Sequence, residues 1–392
     1  MKRKCRLILL IVMIPLLTSC WGRTEVIDIA LVTGIAIDKG ENKNILLSLQ
    51  IAVPKNLGPQ AGKGSGGSET TIVVSEEGQD IMEAYRQIQL KLSREVFFGQ
   101  SNVLIIGEEL ATEGVSSVLD FFTRFRQPQL GSTILFAKGK ANDKLNLKPQ
   151  IESMTTEEIR EQEKRGAGLE VKVRDFLTRM LADGDEPFAS EVSSEPLEKE
   201  NNSSDMVPSL NGAAIFKGDK LVGWMDDKES RGLLWMRDEF VSGAISLTVP
   251  GNEGGGQIGA EILQVSSKIK PTVSKDNVKI KVDSYGEVEI FENSSTFDLN
   301  DPENIQKVKK MFEDEVKERL ELTVNKAQKE LQSDVFGIGH AVYRSNPKLW
   351  NDMYKSKWAE VFPEIEIEIA TEIKIKGTGF TNQSIIFSNQ KD

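Results

Sequence analysis

Cysteine placement constrains this chain before anything else does. Its 392 residues hold two cysteines, Cys5 and Cys20, both ahead of every segment that carries a folding pattern. No disulfide or cysteine–metal staple is then open to the body of the chain, so its fold has to rest on apolar burial. Hydrophobic residues make up 39% of the sequence, an ordinary share for globular folding, so disorder is not expected.

The two cysteines also lie in a segment of their own. Lys2, Arg3, Lys4 and Arg6 form a basic start with no acid to offset it, and residues 7–17 follow as an apolar run broken only by Pro15. A helix of that length rises about 16 Å against a hydrocarbon core of roughly 30 Å. The segment therefore reads as the core of a signal peptide and not as a membrane span. Leu17-Thr18-Ser19-Cys20 closes it in the bacterial lipobox pattern: an apolar residue, two small residues, then a cysteine. The thiol is needed to carry a diacylglyceryl thioether, and the small residues let the lipoprotein signal peptidase reach the bond before it. Residues 1–19 are thus expected to be removed, with Leu17, Thr18 and Ser19 as the recognition residues. Cys20 is expected to carry S-diacylglycerol and N-palmitoyl groups. Each buried CH₂ contributes about 0.8 kcal/mol, so more than one acyl chain gives a firm hold.

Loss of the four basic residues leaves 45 cations against 60 anions, a net charge of −15. That balance argues against nucleic acid as a partner and against a body lying flat on anionic lipid. No later stretch reaches 18 consecutive apolar residues, so no transmembrane helix is expected in the mature chain. About 370 residues exceed one hydrophobic core and point to several domains.

Periodicity sketches those domains. Residues 29–38 read as a largely buried strand, and 45–53 as a second strand forming a hairpin with the first; 58–68 is a Gly/Ser loop and 70–75 a short strand. An amphipathic helix is expected over 79–94, a buried strand over 102–106, one helix over 108–125 and a strand over 131–137. Helical stretches follow at 152–165 and 171–181. Residues 183–208 hold Glu186-Pro187, Glu195-Pro196 and Asn201-Asn202-Ser203-Ser204-Asp205, and read as a linker. Beyond it, 212–216 and 221–224 flank Lys217-Gly218-Asp219-Lys220 as a hairpin. Residues 251–259 read as a second flexible loop, and 278–283 and 286–291 as alternating strands. Asp301-Pro302 caps the longest helix, whose apolar spacing runs to Leu331, and Ser345-Asn346-Pro347 opens another. The isoleucines of 365–375 alternate with Glu and Lys, as in a strand with one wet face. The reading is α+β (mixed α/β) and multi-domain, with antiparallel or mixed sheets and packed helices. An N-terminal domain is expected over 20–182, a linker over 183–208 and a C-terminal domain over 209–385.

Catalytic chemistry has little to build on. His340 is the one histidine in the chain, set in Phe336-Gly337-Ile338-Gly339-His340, where a structural turn or helix end is expected. A Cys/His metal site fails on count, and no D-x-D-x-D-G loop occurs. Gly254-Gly255-Gly256-Gln257-Ile258-Gly259 fits G-x-G-x-x-G by letter, yet Pro250 precedes it and a strand-like stretch follows, so it reads as a hairpin loop. Gly62-Lys63-Gly64-Ser65 lacks phosphate-loop spacing. Acid pairs such as Glu157-Glu158 are what an acidic composition supplies. Trp21, Trp224, Trp235, Trp350 and Trp358 are scattered without basic interleaving, which suits a core or a partner surface. No catalytic, metal or cofactor site is expected, and the protein reads as no enzyme.

A family pattern runs through these segments. Cys20-Trp21-Gly22-Arg23-Thr24-Glu25-Val26-Ile27-Asp28 continues into Ala30-Leu31-Val32-Thr33-Gly34-Ile35-Ala36-Ile37-Asp38. Then come Glu83-Ala84, Arg94-Glu95-Val96-Phe97-Phe98-Gly99-Gln100 and Phe121-Phe122-Thr123-Arg124. In the second half, Asn211-Gly212-Ala213-Ala214-Ile215-Phe216-Lys217, Leu221-Val222-Gly223-Trp224 and Glu229-Ser230-Arg231-Gly232 follow in order. Asp334-Val335-Phe336-Gly337-Ile338-Gly339, Tyr343-Arg344 and Pro347-Lys348-Leu349-Trp350 complete the series. In this order and spacing the chain resembles the Ger(x)C spore germination lipoproteins. The resemblance implies a non-catalytic C subunit of a nutrient germinant receptor, working with a membrane A subunit and a multi-spanning B subunit. It also implies a lipid anchor at Cys20 and a place on the outer face of the spore inner membrane. The alternative is a solute-binding lipoprotein of an importer. Against it, a strand begins nine residues after Cys20, where such proteins have a long tether, and strands do not alternate regularly with helices. A further turn-level expectation concerns Gly337 and Gly339: one or both should have positive φ, turning Phe336 into the C-terminal core.

Overall fold

A computed structural model of the chain describes residues 25–54, 70–125, 127–197, 206–275 and 277–379. Leu17, Thr18, Ser19 and Cys20, and the expected Gly/Ser loop at 58–68, lie outside the described residues.

Two mixed sheets organise these segments. The first holds nine strands: β1 (Ile29–Lys39), β2 (Ile45–Ala52), β3 (Thr71–Gly78), β4 (Glu95–Phe97), β5 (Val103–Gly107), β6 (Thr133–Ala137), β7 (Phe188–Pro196), β8 (Met206–Lys217) and β9 (Lys220–Met225). Their order is β3-β2-β1-β5-β6-β7-β8-β9, with β4 beside the start of β1. Strands β1, β5, β6 and β7 run parallel, and the two flanks turn antiparallel. The parallel centre is buried on both faces, which is why β1 and β5 read as nearly unbroken apolar runs. Ile35, Ile37, Leu104, Ile106, Ile134 and Phe136 face one helical layer; Ala36, Val103, Ile105, Leu135 and Ala137 face the other.

The first layer holds the helices Ile81–Lys91, Glu108–Glu113, Ser116–Arg124 and Val173–Leu181. The second holds Ala141–Leu145 and Thr155–Lys164. Phe136, Phe176 and Phe216 meet in the first layer with ring centroids 4.5 to 5.6 Å apart. Fully burying each such side chain contributes about 1.5–3 kcal/mol.

The second sheet has the order β10-β11-β12-β13, formed by β10 (Gly243–Thr248), β11 (Gln257–Val273), β12 (Val278–Asn293) and β13 (Glu366–Gly377). The expected N-cap is present: Asp301 Oδ accepts from Glu303 N–H at 2.9 Å, and Pro302 opens the helix Pro302–Asn325. That helix buries Val308, Phe312, Val316 and Leu320 at four-residue spacing. β13 turns Ile369 and Ile373 inward, as its alternation requires. Buried side chains of both sheets form one continuous cluster. Among the described residues, no helix is long and apolar enough to cross a membrane.

Three expectations are corrected. Residues 183–208 do not form a linker throughout. β7 and the start of β8 lie in that range, and the first sheet continues to Met225 before the helix Asp227–Met236 leads into the second. Phe188, Ala189, Ser190, Glu191 and Val192 are buried there, so the segment has more to bury than its composition suggests. The single helix expected over 108–125 is two, broken at Gly114, after which Val115 N–H donates to Asp219 O at 2.9 Å. The two strands expected over 278–291 are one, because Gly286 lies against the Trp235 ring and lets β12 run on.

Candidate functional site

The long helix does not end on a glycine. It widens into a π turn, Lys326–Leu331, and closes at Gln332 with φ 50°. The next residues stitch the second half of the chain to the first. Ser333 Oγ donates to Phe216 O, and Glu186 N–H donates to Asp334 O at 3.1 Å. The Asp334 carboxylate accepts from Ile338 N–H at 3.0 Å, Gly339 N–H at 2.7 Å and Trp358 Nε1–H at 2.9 Å. Burial pushes its pKa up to about 7, against these three donors, which pull it down. Gly337 has φ +70° and begins the helix Ile338–Ser345, and Phe336 is 3% exposed, as expected of that turn. Gly339 has no positive φ. What it supplies is space: a Cβ there would stand 2.6 Å from Gly184 Cα and 2.7 Å from Trp358 Nε1.

Beside this turn lies a network of half-buried charge. Arg237 grips Asp185 with both terminal nitrogens, at 2.9 and 3.3 Å, and donates to Val335 O at 2.7 Å. Its Nε–H reaches Glu239 at 3.0 Å, and Glu239 also accepts from Arg179 at 2.9 Å. Both guanidinium groups lie over the Phe188 ring, at 4.2 Å for Arg179 and 5.3 Å for Arg237. The two cations and two carboxylates balance, and together they join the helix Val173–Leu181, the approach to β7 and the end of the helix Asp227–Met236.

A cleft of about 510 Å³ opens against the network. Its walls are the helix Ile338–Ser345, with His340, Ala341 and Arg344, and residues 267–270 of β11; Met236 and Phe336 form an apolar floor. His340 is therefore not merely a turn residue. Its N–H donates to Gly184 O at 2.9 Å, while its exposed ring lines the cleft 6.2 Å from the ring of Tyr343. No hydroxyl, thiol or carboxylate is bonded to that ring among the described residues. Trp235, Trp350 and Trp358 are buried, and Trp235 Nε1–H donates to Ser284 Oγ at 2.6 Å. The G-x-G-x-x-G run lies at the β10–β11 hairpin, as its flanks imply. Sequence reasoning singled out Asp334-Val335-Phe336-Gly337 and His340. It missed Asp185, Arg237 and the lysines of β11, which no local pattern connects.

Comparison with known proteins places this architecture. A family model described as the spore germination protein N-terminal domain matches residues 22–194, and one described as the spore germination B3/GerAC-like C-terminal region matches 211–379. The boundary between them falls inside the first sheet. A Bacillus subtilis protein named YfkR and assigned provisionally to spore germination is 30% identical, over 97% of this chain and 98% of its own. Spore germination protein KC of Bacillus subtilis is 28% identical over 98% of each chain. The crystal structure of the GerBC protein superposes with a TM-score of 0.57 at 21% identity, covering 88% of this chain and 97% of that one, and shares the fold. The chain belongs to the Ger(x)C family of spore germination proteins.

Proposed function

We propose that this protein is a non-catalytic, lipid-anchored subunit of a spore nutrient germinant receptor. It is held by Cys20 at the outer face of the spore inner membrane and works with membrane A and B subunits. The observation that carries the reading is the match of both family models, in order, across nearly the whole chain outside the signal segment. The site supports it. A cleft framed by ion pairs, with a lone histidine and no activated nucleophile, suits recognition of a partner better than turnover of a substrate.

The test is genetic. In a strain whose other nutrient receptors have been removed, spores lacking this protein should show no response to any nutrient, while agents that bypass receptors still trigger germination. A nutrient response that persists in that background overturns the assignment.

A further inference from the structure

β11 is longer than the strand that covers it. β10 pairs with it only as far as Ile262, so residues 263–273 have β12 on one side and no strand on the other among the described residues. The hairpin closing β11 onto β12 fixes which backbone groups point outward. Ser274 N–H donates to Asn277 O at 2.9 Å, which makes that a hydrogen-bonded pair. Counting back in twos, Thr272, Lys270 and Lys268 bond to β12, whereas Pro271, Ile269 and Ser267 face away from it. Pro271, with no N–H to give, is in the outward set, as it has to be. The N–H and C=O groups of Ser267 and Ile269 therefore lack a strand partner, and these two residues stand in the wall of the 510 Å³ cleft.

The same cleft gathers positive charge on a chain of net −11. Lys268 and Arg344 are exposed on its opposite walls, and neither has an acidic partner among the described residues. The one acid lining the cleft, Asp185, is already held by Arg237.

We propose that this cleft receives an extended acidic segment of a partner protein. The segment adds as a short strand beside Ser267 and Ile269, and its carboxylates meet Lys268 and Arg344. Outward backbone donors and acceptors repeating every second residue match a peptide. They do not match a phosphate headgroup, and the acidic body is repelled by an anionic bilayer. Pro271 limits the added strand to the Ser267–Ile269 stretch and, with the lysines, keeps the edge from pairing indiscriminately.

The experiment uses the full chain in non-ionic detergent and fluorescence anisotropy with three labelled peptides of equal length, alternating Glu-Val, Lys-Val and Glu-Pro. The Glu-Val peptide should bind and the Lys-Val peptide should not. Glu-Pro keeps the charge without the ladder and should bind at least about tenfold more weakly. The double variant Lys268→Glu with Arg344→Glu should lose at least about tenfold in Glu-Val affinity with its unfolding temperature unchanged. Equal binding of Glu-Pro and Glu-Val, or undiminished Glu-Val binding by the double variant, overturns the proposal. So does binding of phosphatidylglycerol vesicles through these two residues when no peptide binds.

Discussion

Gly337 and Gly339 are two residues apart and are glycine for different reasons. At Gly337 the reason is backbone: φ is +70°, and a Cβ would meet nothing closer than 3.4 Å, so only the left-handed conformation resists a side chain. Gly337→Ala should therefore cost about 1 kcal/mol. At Gly339 the conformation is ordinary, but a Cβ would overlap the backbone of Gly184 and the indole of Trp358. Backbone cannot swing aside as a flexible side chain can, so Gly339→Ala should cost more than Gly337→Ala. Thermal unfolding of the full chain in detergent orders the three proteins as wild type, then Gly337→Ala, then Gly339→Ala. A Gly339→Ala variant as stable as wild type would show that the contact with residues 183–187 can be lost without consequence. The sequence marked both glycines and the inward turn of Phe336. It could not say which glycine needed φ and which needed room, because Gly184 lies 155 positions away.

Among the elements, those legible in the sequence bury a continuous apolar face, whereas the misread ones turn on a glycine, at Gly114 and Gly286, or on buried polar atoms, in β7. β1, the helix Ile81–Lys91, the helix Pro302–Asn325 and β13 all announced themselves by apolar period. β7 did not, since Ser190 and Glu191 are polar by letter and buried in fact. Their partners come from other elements: Ser190 Oγ donates to Glu163 at 2.8 Å and accepts from Leu169 N–H, and Glu191 pairs with Lys138 at 2.8 Å. Glu163, on the helix Thr155–Lys164, makes this junction pH-sensitive. Burial pushes its pKa up from 4.5 to about 7, and the Ser190 hydroxyl pulls it only partly back. Between those values the folded protein holds a proton that the unfolded chain has released, so this group's effect is to lower stability as pH rises through the window. Asp334 acts with the same sign. Glu163→Gln should therefore remove this group's share of the pH dependence, so that the variant's unfolding temperature gains on that of wild type as pH rises from about 4.5 to 7. Parallel curves for variant and wild type would show that Glu163 does not carry this proton.

On the scale of the whole molecule, the cleft is assembled from stretches around residues 185, 237, 267–270 and 336–344, brought together only when the two sheets share their core. Separation of that order leaves no local signature, so the sequence exposed the Asp334–His340 turn and nothing of the opposite wall. The proposed anchor presents the reverse case, being expected from sequence and outside the described residues. Its consequence can still be argued from the fold. β1 starts at Ile29, nine residues after Cys20, and is bonded to β2, β4 and β5 within the first sheet. A nine-residue connection reaches at most about 30 Å, so a lipid on Cys20 would hold the body close to the bilayer. No helix among the described residues offers a substitute hold, and the acidic body gains nothing from anionic lipid. Cys20→Ala should therefore leave an unprocessed or misplaced precursor and deplete the protein from the membrane fraction after a high-salt wash, detected by immunoblot of fractionated cells. Retention of the variant at the wild-type level would place the attachment elsewhere in the chain or in a partner, and the lipid anchor would have to be given up.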